Sequence, residues 1–129
     1  MSKEYIARQM EEERRYSRAV KVKGGTTVYL AGIANGDAFG NAPEGDFKTQ
    51  ARAAFNGIRE TIELAGGTMD DIVTMTVFIT DPRYGNEFLE VRAEYFKLGH
   101  FPASALITVS PLCYPNYQVE IQAIAVLDE

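Results

Sequence analysis

Hydrophobic and polar residues alternate along the chain between residues 16 and 31. Val20 and Val22 form one alternating run, and Val28 and Leu30 form the next, with Gly24-Gly25 between them. Alternation is typical of half-buried strands, and a pair of glycines between two such runs indicates a tight turn. The pattern therefore predicts two strands joined as a hairpin.

The residues before this hairpin are dominated by charge, as in Glu11-Glu12-Glu13-Arg14-Arg15. They predict a short surface helix, because charge runs of this kind face water. We expect a charged, helical N-terminal arm over 1–15 and one domain over 16–129. A solvated arm is the simpler interpretation, and an arm that docks onto a partner is the alternative.

Two later segments carry apolar residues at three- and four-residue spacing, which predicts amphipathic helices. The first follows Asp46, whose carboxylate can cap a helix, and ends at Gly66-Gly67; the second is stopped by Gly99. Residues 34–46 are rich in Gly, Asn and Asp and predict a long loop. The apolar positions are Phe47, Ala51, Ala54, Phe55, Ile58, Ile62 and Ala65 in the first helix, and Tyr84, Phe88, Val91, Tyr95 and Leu98 in the second.

Three more apolar runs predict strands at Ile72 to Thr80, Ala103 to Val109 and Gln118 to Leu127. In the last strand apolar residues occupy both faces near its end, so we expect that end to be covered on both sides. The order ββαβαββ is α+β, with a mixed sheet and two helices on one face. The opposite face is apolar in places, which favours assembly through the sheet.

Length and composition narrow the class of protein. A chain of 129 residues with 46% hydrophobic and 24% charged residues is typical of one globular domain. No apolar run approaches the length of a membrane span, and the N-terminus lacks an apolar signal segment. The net charge of −5 disfavours a nucleic-acid partner. One cysteine and one histidine predict no structural zinc site, and we expect a reducing, cytoplasmic setting.

Few residues are candidates for chemistry. Motifs for nucleotide cofactors, metals and nucleophilic serines are absent, so the sequence predicts no cofactor. Cys113 with His100 could form a nucleophile and base, but a plain loop cysteine is the simpler interpretation. Glu120 is more informative, because an ionised carboxylate in the apolar run Val119-Glu120-Ile121 is costly unless it is paired. It should face the oligomer side. The simpler interpretation is a carboxylate at a strand edge or one paired across a subunit contact, and the alternative is a general base in an interfacial cleft.

A cation for a carboxylated metabolite could come from Arg18, Arg83 or Arg92. Arg92 follows Val91, one step off the apolar stripe of its helix, which favours a solvent-facing position over a ligand clamp. Arg18 lies on the first strand and is equally open to both interpretations.

Several segments of the chain together resemble one known family. They are Tyr16-Ser-Arg-Ala-Val20, Val28-Tyr-Leu-Ala-Gly-Ile33, Gln50-Ala-Arg52, Asn56-Gly-Ile58, Asp71 to Ile79, Phe101-Pro-Ala-Ser104 and Val119 to Val126. By these segments the chain resembles the Rid (YjgF-like, reactive intermediate deaminase) family from Tyr16 to Val126. The strand after Asp71 and the closing run carry the resemblance most strongly.

The resemblance implies a chorismate-mutase-like fold and a homotrimer whose sheets form a central barrel, with a small-molecule cleft at each subunit interface. Family members hydrolyse enamines and imines to a carbonyl product and ammonia without a cofactor. The implied site has Tyr16 lining the cleft, Ala31-Gly32 at the end of the second strand, and Glu120 orienting water. The loop from Cys113 to Tyr117, with Cys113 and Tyr114 as its candidate contacts, would shape the pocket wall.

The chain departs from the family at the position that binds the substrate carboxylate. Archetypal members read Pro-Ala-Arg where this chain reads Pro102-Ala103-Ser104, and Arg92 and Leu106 replace the family's asparagine and cysteine. Small amino-acid-derived imines should therefore bind poorly. In one interpretation the site is rebuilt for another substrate, such as a 2-aminomuconate-type enamine, with Arg92, Arg18 or Ser104 supplying contacts. In the other, the trimer is a non-catalytic small-molecule-binding or protein-protecting module.

Two expectations accompany these interpretations. Restoring the family arginine by Ser104→Arg should raise activity on small imino acids if the cleft is otherwise intact. An endoribonuclease activity, a label sometimes attached to this family, fits poorly with an acidic chain that lacks a basic stripe.

Overall fold

The fold is described by a computed structural model that covers residues 1–35 and 44–128. Residues 36–43 of the predicted 34–46 loop lie outside this description. The strands are β1 (Ser2–Ile6), β2 (Ala19–Lys23), β3 (Thr26–Tyr29), β4 (Ile72–Ile79), β5 (Ala103–Thr108) and β6 (Val119–Leu127). The helices are α1 (Gln9–Glu13), α2 (Phe47–Leu64) and α3 (Gly85–Arg92).

The main sheet has four strands in the order β3-β6-β4-β5, and β1 and β2 form a separate antiparallel pair. β4 and β5 are parallel, whereas β6 runs antiparallel to both β3 and β4. This mixed sheet, with α2 packed on β6 and on α3, confirms the predicted α+β class. No helix within the described ranges combines the length and apolar character needed to cross a bilayer.

The core lies between one face of this sheet and the inner face of α2. Alternate residues of β4 and β6 are buried there, including Met75, Val77 and Ile121, as period-two patterning predicts. α2 starts where Asp46 accepts a hydrogen bond from the Thr49 N–H at 2.9 Å, as predicted from the capping residue. Adjacent residues at the end of β6 are both buried, so the prediction that this end is covered on both faces is confirmed.

The predicted hairpin is wrong in its pairing. Among the described residues no ladder joins β2 to β3; β2 pairs with β1, and β3 pairs with β6. Gly24 and Gly25 do turn the chain, with φ of 73° and 86°. A Cβ on Gly25 would lie 2.6 Å from the Val126 side chain, so the turn itself packs against β6.

The N-terminal segment is only partly helical. Residues Gln9–Glu13 form α1, but Ser2–Ile6 form a strand, which corrects the predicted helix there. The reason is pairing: β1 lies along the edge of β2, whose backbone groups need partners, and Lys3 and Tyr5 turn inward.

α3 is shorter than predicted, because it ends at Arg92 rather than near Leu98. Its last hydrogen bonds tighten to three-residue spacing, with Glu94 N–H donating to the Val91 carbonyl at 2.9 Å. This ending lets Phe96 pack edge-on against Phe55.

Candidate functional site

A cavity of about 300 Å³ opens where the end of α3, the start of β5 and the segment after α1 meet. This volume suits a small metabolite. We call this cavity the arginine pocket. It is lined by Arg14, Tyr16, Leu89, Arg92, Ser104 and Leu106.

Arg92 is buried at this pocket, with a relative exposure of 1%. The solvent-facing position favoured from the sequence is therefore wrong. Arg92 follows Phe88 by four residues, so both side chains lie on the inner face of α3. Its guanidinium carbon lies 5.1 Å from the Phe88 ring centre and 5.9 Å from that of Tyr16.

The contacts of Arg92 leave its charge without a carboxylate. Its Nη1 donates to Ser104 Oγ at 2.8 Å and to Met75 Sδ at 4.0 Å, and its Nη2 donates to the Arg14 carbonyl at 3.2 Å. No Asp or Glu among residues 1–35 and 44–128 pairs with Arg92, and its buried Nε has no hydrogen-bond partner there. A guanidinium has more N–H donors than these contacts use, so donors remain for an acceptor.

Burial lowers the pKa of Arg92 to about 10, because the charged form loses its hydration. The side chain is still positive at neutral pH. A buried cation without a paired anion is unfavourable, and an incoming carboxylate would relieve that cost. The arginine pocket thus combines a positioned cation with space for a small anion.

Ser104 and Tyr16 are held at this pocket by backbone pairing. Ser104 is opposite Met75 in the parallel β4–β5 ladder, so it shares the face that meets α3. Tyr16 precedes Ser17, whose N–H donates to the Pro102 carbonyl at 3.0 Å and whose hydroxyl donates to the Phe101 carbonyl at 2.6 Å.

Glu120 lies in a second group of predicted site residues, beside Ala31 and Gly32. The Ile33 N–H donates to the Ile121 carbonyl at 2.8 Å, which brings this segment alongside β6. Glu120 Oε2 is 2.7 Å from where a Cβ on Gly32 would lie, so a side chain at this position would make the carboxylate shift. The half-buried Glu120 faces away from the helices, as predicted.

The two groups lie on opposite faces of the sheet. Ser104 pairs with Met75 of β4, whereas Glu120 pairs with Phe78, whose side chain points the other way. They are separated by about 10 Å along the strands and about 10 Å across them. One chain alone cannot bring Arg92 and Glu120 to the same small ligand.

The other predicted residues lie outside the arginine pocket. Cys113 and Tyr114 are exposed, and His100 contacts Asp70 at 3.0 Å, so nothing places it as a base for Cys113. The other two candidate cations have carboxylate neighbours. Arg18 lies 4.0 Å from Glu11, and the side chain of Arg83 is 87% exposed and forms an ion pair with Asp81.

Three lining residues were not predicted to line the pocket, although Leu106 had been noted as a departure from the family. Leu89 precedes Arg92 by three residues, and this spacing was the available signal that both share a face. Leu106 lies two residues after Ser104 on the same face of β5. Arg14 belongs to a charge run, which gave no sign of a pocket.

Comparisons with known proteins agree on one family. A family model described as Endoribonuclease L-PSP matches residues 6–127. The RutC family protein YjgH of Escherichia coli is 34% identical over 120 residues, covering 91% of this chain and 86% of that protein. A 2-iminobutanoate/2-iminopropanoate deaminase of Dermatophagoides farinae is 32% identical over 114 residues, covering 88% of this chain and 86% of that protein. The structure of YyfB, a Rid-family protein of unknown function from Yersinia pestis, superposes with a TM-score of 0.87 at 25% identity, covering 98% of this chain and 100% of that one.

Proposed function

Because the chain belongs to the Rid (YjgF-like) family, whose model is described as Endoribonuclease L-PSP, we propose that it hydrolyses an imine or enamine to a carbonyl compound and ammonia. A relative 32% identical carries the name of an iminobutanoate and iminopropanoate deaminase, which supports this reaction class. The observation that carries the proposal is the buried, carboxylate-free guanidinium of Arg92 at a pocket of metabolite size.

Arg92 would anchor the substrate carboxylate. In the family pattern an arginine on the strand does this, and Ser104 stands at that position here. Since Ser104 Oγ is bonded to Arg92 Nη1, the serine leaves the space that the guanidinium of α3 occupies. A charge-assisted hydrogen bond to the carboxylate would then fix the position of the C=N group for the chemical step.

Glu120 would act on water. Its carboxylate accepts a proton from a water molecule as the oxygen attacks the C=N carbon, and the C=N π electrons move to nitrogen. The carboxylic acid returns this proton to nitrogen, which gives an amino alcohol. The carboxylate then takes the hydroxyl proton and passes it to nitrogen as the C–N bond breaks, so that ammonia leaves as the carbonyl forms. The backbone beside Gly32, against which Glu120 packs, would position the water and the reacting carbon.

A homotrimer with clefts between subunits would join the two groups. Within one chain they lie on opposite faces of the sheet, so the Glu120 side of one subunit must meet the Arg92 side of another. The edge strand β5 supports this assembly, because Leu106 and Ile107 on it are 39% and 41% exposed. The substrate would be a small molecule enclosed at that contact.

The test is ammonia release above the uncatalysed rate, with 2-iminopropanoate and 2-aminomuconate as substrates. Glu120→Gln should lower kcat by at least about a hundredfold. Glu63→Gln, an exposed change of the same kind on α2, should leave kcat unchanged. Equal kcat for Glu120→Gln and wild type would remove Glu120 from the mechanism. Binding of a small ligand without ammonia release from either compound would favour the non-catalytic module.

A further inference from the structure

The arginine pocket has a second cation at its rim. Arg14 lines the cavity and is exposed, and its side chain makes no ion pair or hydrogen bond with any residue that the structure describes. Its carbonyl is the group that accepts from Arg92 Nη2 at 3.2 Å. The backbone of Arg14 is therefore in direct contact with the buried guanidinium of Arg92, and the Arg14 side chain is exposed at the same cavity.

The charge of this pocket is one-sided. None of its described lining residues is an Asp or Glu, although the whole chain has a net charge of −5. One carboxylate would compensate the Arg92 guanidinium and leave that of Arg14 unpaired. Because Arg14 is exposed, water solvates its charge in the empty pocket, and its guanidinium is available to a second anionic group of an occupant.

From this arrangement we infer that Arg14 binds a second carboxylate of the ligand, so that the substrate is a dicarboxylic imine or enamine. This inference rests on the proposed function for the reaction and adds the class of substrate. Arg92 holds the carboxylate next to the reacting carbon, and Arg14 closes over the distal one. The free side chain of Arg14 can adjust to the length of the substrate, whereas that of Arg92 cannot.

The experiment compares two imines of equal chain length, formed in place by amino-acid oxidation. The imine of glutamate has a distal carboxylate, and that of norvaline ends in a methyl group. Wild type should show a kcat/KM at least about tenfold higher for the diacid, the size of one charge-assisted contact. Arg14→Gln should lower this diacid preference by about tenfold. Arg15→Gln, the same change at the next position and outside the pocket, should leave it unchanged.

A binding measurement tests the class of ligand separately from the deaminase reaction. Calorimetry with 2-oxoglutarate and 2-oxopentanoate, the corresponding carbonyl products, should show tighter binding of the diacid by wild type and loss of that difference in Arg14→Gln. Equal affinities in wild type, or equal loss in Arg15→Gln, would overturn the inference whatever the turnover. Diacid preference in binding without ammonia release from either imine would instead contradict the proposed function and leave the ligand class supported.

Discussion

At the scale of single residues, the direction of one side chain decides the character of the site. The resemblance identified Tyr16, Glu120 and Ser104 by their positions. For Arg92 the sequence favoured a solvent-facing position, although the resemblance kept it among the candidate substrate contacts. The prediction was wrong because it considered only that Arg92 follows the apolar Val91. Phe88, four residues before Arg92, lies on the same inner face of the helix and is the better guide to its direction. A cation on a buried face is rare, so composition gave no reason to expect it there.

Replacing Arg92 with methionine should separate function from stability. A desolvated charge without an anion does not stabilise the free protein, so Arg92→Met should leave the free energy of unfolding unchanged or raise it by about 1 kcal/mol. Ammonia release should be lost. Urea unfolding and turnover measure the two effects, with the exposed Arg59→Met as control. A loss of about 3 kcal/mol or more on Arg92→Met would mean that the guanidinium is a structural group.

At the scale of elements, apolar spacing and capping residues predicted the helices and strands that depend on local sequence. They could not predict which strands pair, because pairing joins residues that are far apart in the chain. α2, β4 and β6 follow their apolar spacing closely. β1 could not be predicted, because its strand conformation depends on the edge of β2 rather than on its own charged residues. For the same reason the sequence could not show that β3 pairs with β6 instead of β2.

The segment between β1 and β2 depends on the buried carboxylate of Glu11. Hydrogen bonds from Arg8, at 2.9 Å to 3.0 Å, lower the pKa of Glu11 from 4.5 to about 2. The pKa is lower in the folded than in the unfolded state, so the stabilisation is present above pH 4.5 and disappears as pH falls toward 2.

Glu11→Gln should therefore lower the Tm at pH 7, and the difference from wild type should shrink as pH falls from 4.5 to 2. Thermal scans across this pH range measure it. The exposed neighbour, Glu12→Gln, should show no such pH-dependent difference. A Tm difference for Glu11→Gln that stays constant over the range would contradict the assigned role of the carboxylate.

At the scale of the whole molecule, the position of the two groups on opposite faces predicts a site shared between subunits. Complementation tests this directly. Arg92→Asn and Glu120→Gln subunits, each inactive alone, should regain activity when unfolded and refolded together. If the two variants mix randomly in equal amounts, about a quarter of the interfaces would contain both an intact Arg92 and an intact Glu120. We therefore expect about a quarter of wild-type activity. Absence of any recovery in co-assembled oligomers would contradict a site shared between subunits.

The structure also changes the expected effect of restoring the family arginine. Ser104 Oγ lies 2.8 Å from Arg92 Nη1, so Ser104→Arg alone would bring two guanidinium groups together in a buried place. We therefore expect this variant to lose activity, in contrast to the gain expected from the sequence.

The most direct test of the claim that Arg92 replaces the strand arginine is kcat/KM for ammonia release in three variants. Arg92→Asn removes the only buried cation that the described residues place at the pocket and should lower kcat/KM by at least about a hundredfold. Ser104→Arg should also lower kcat/KM. The double variant returns the family's asparagine and arginine and should recover to within about tenfold of wild type. Wild-type kcat/KM in Arg92→Asn, or a double variant no better than Arg92→Asn, would contradict the account.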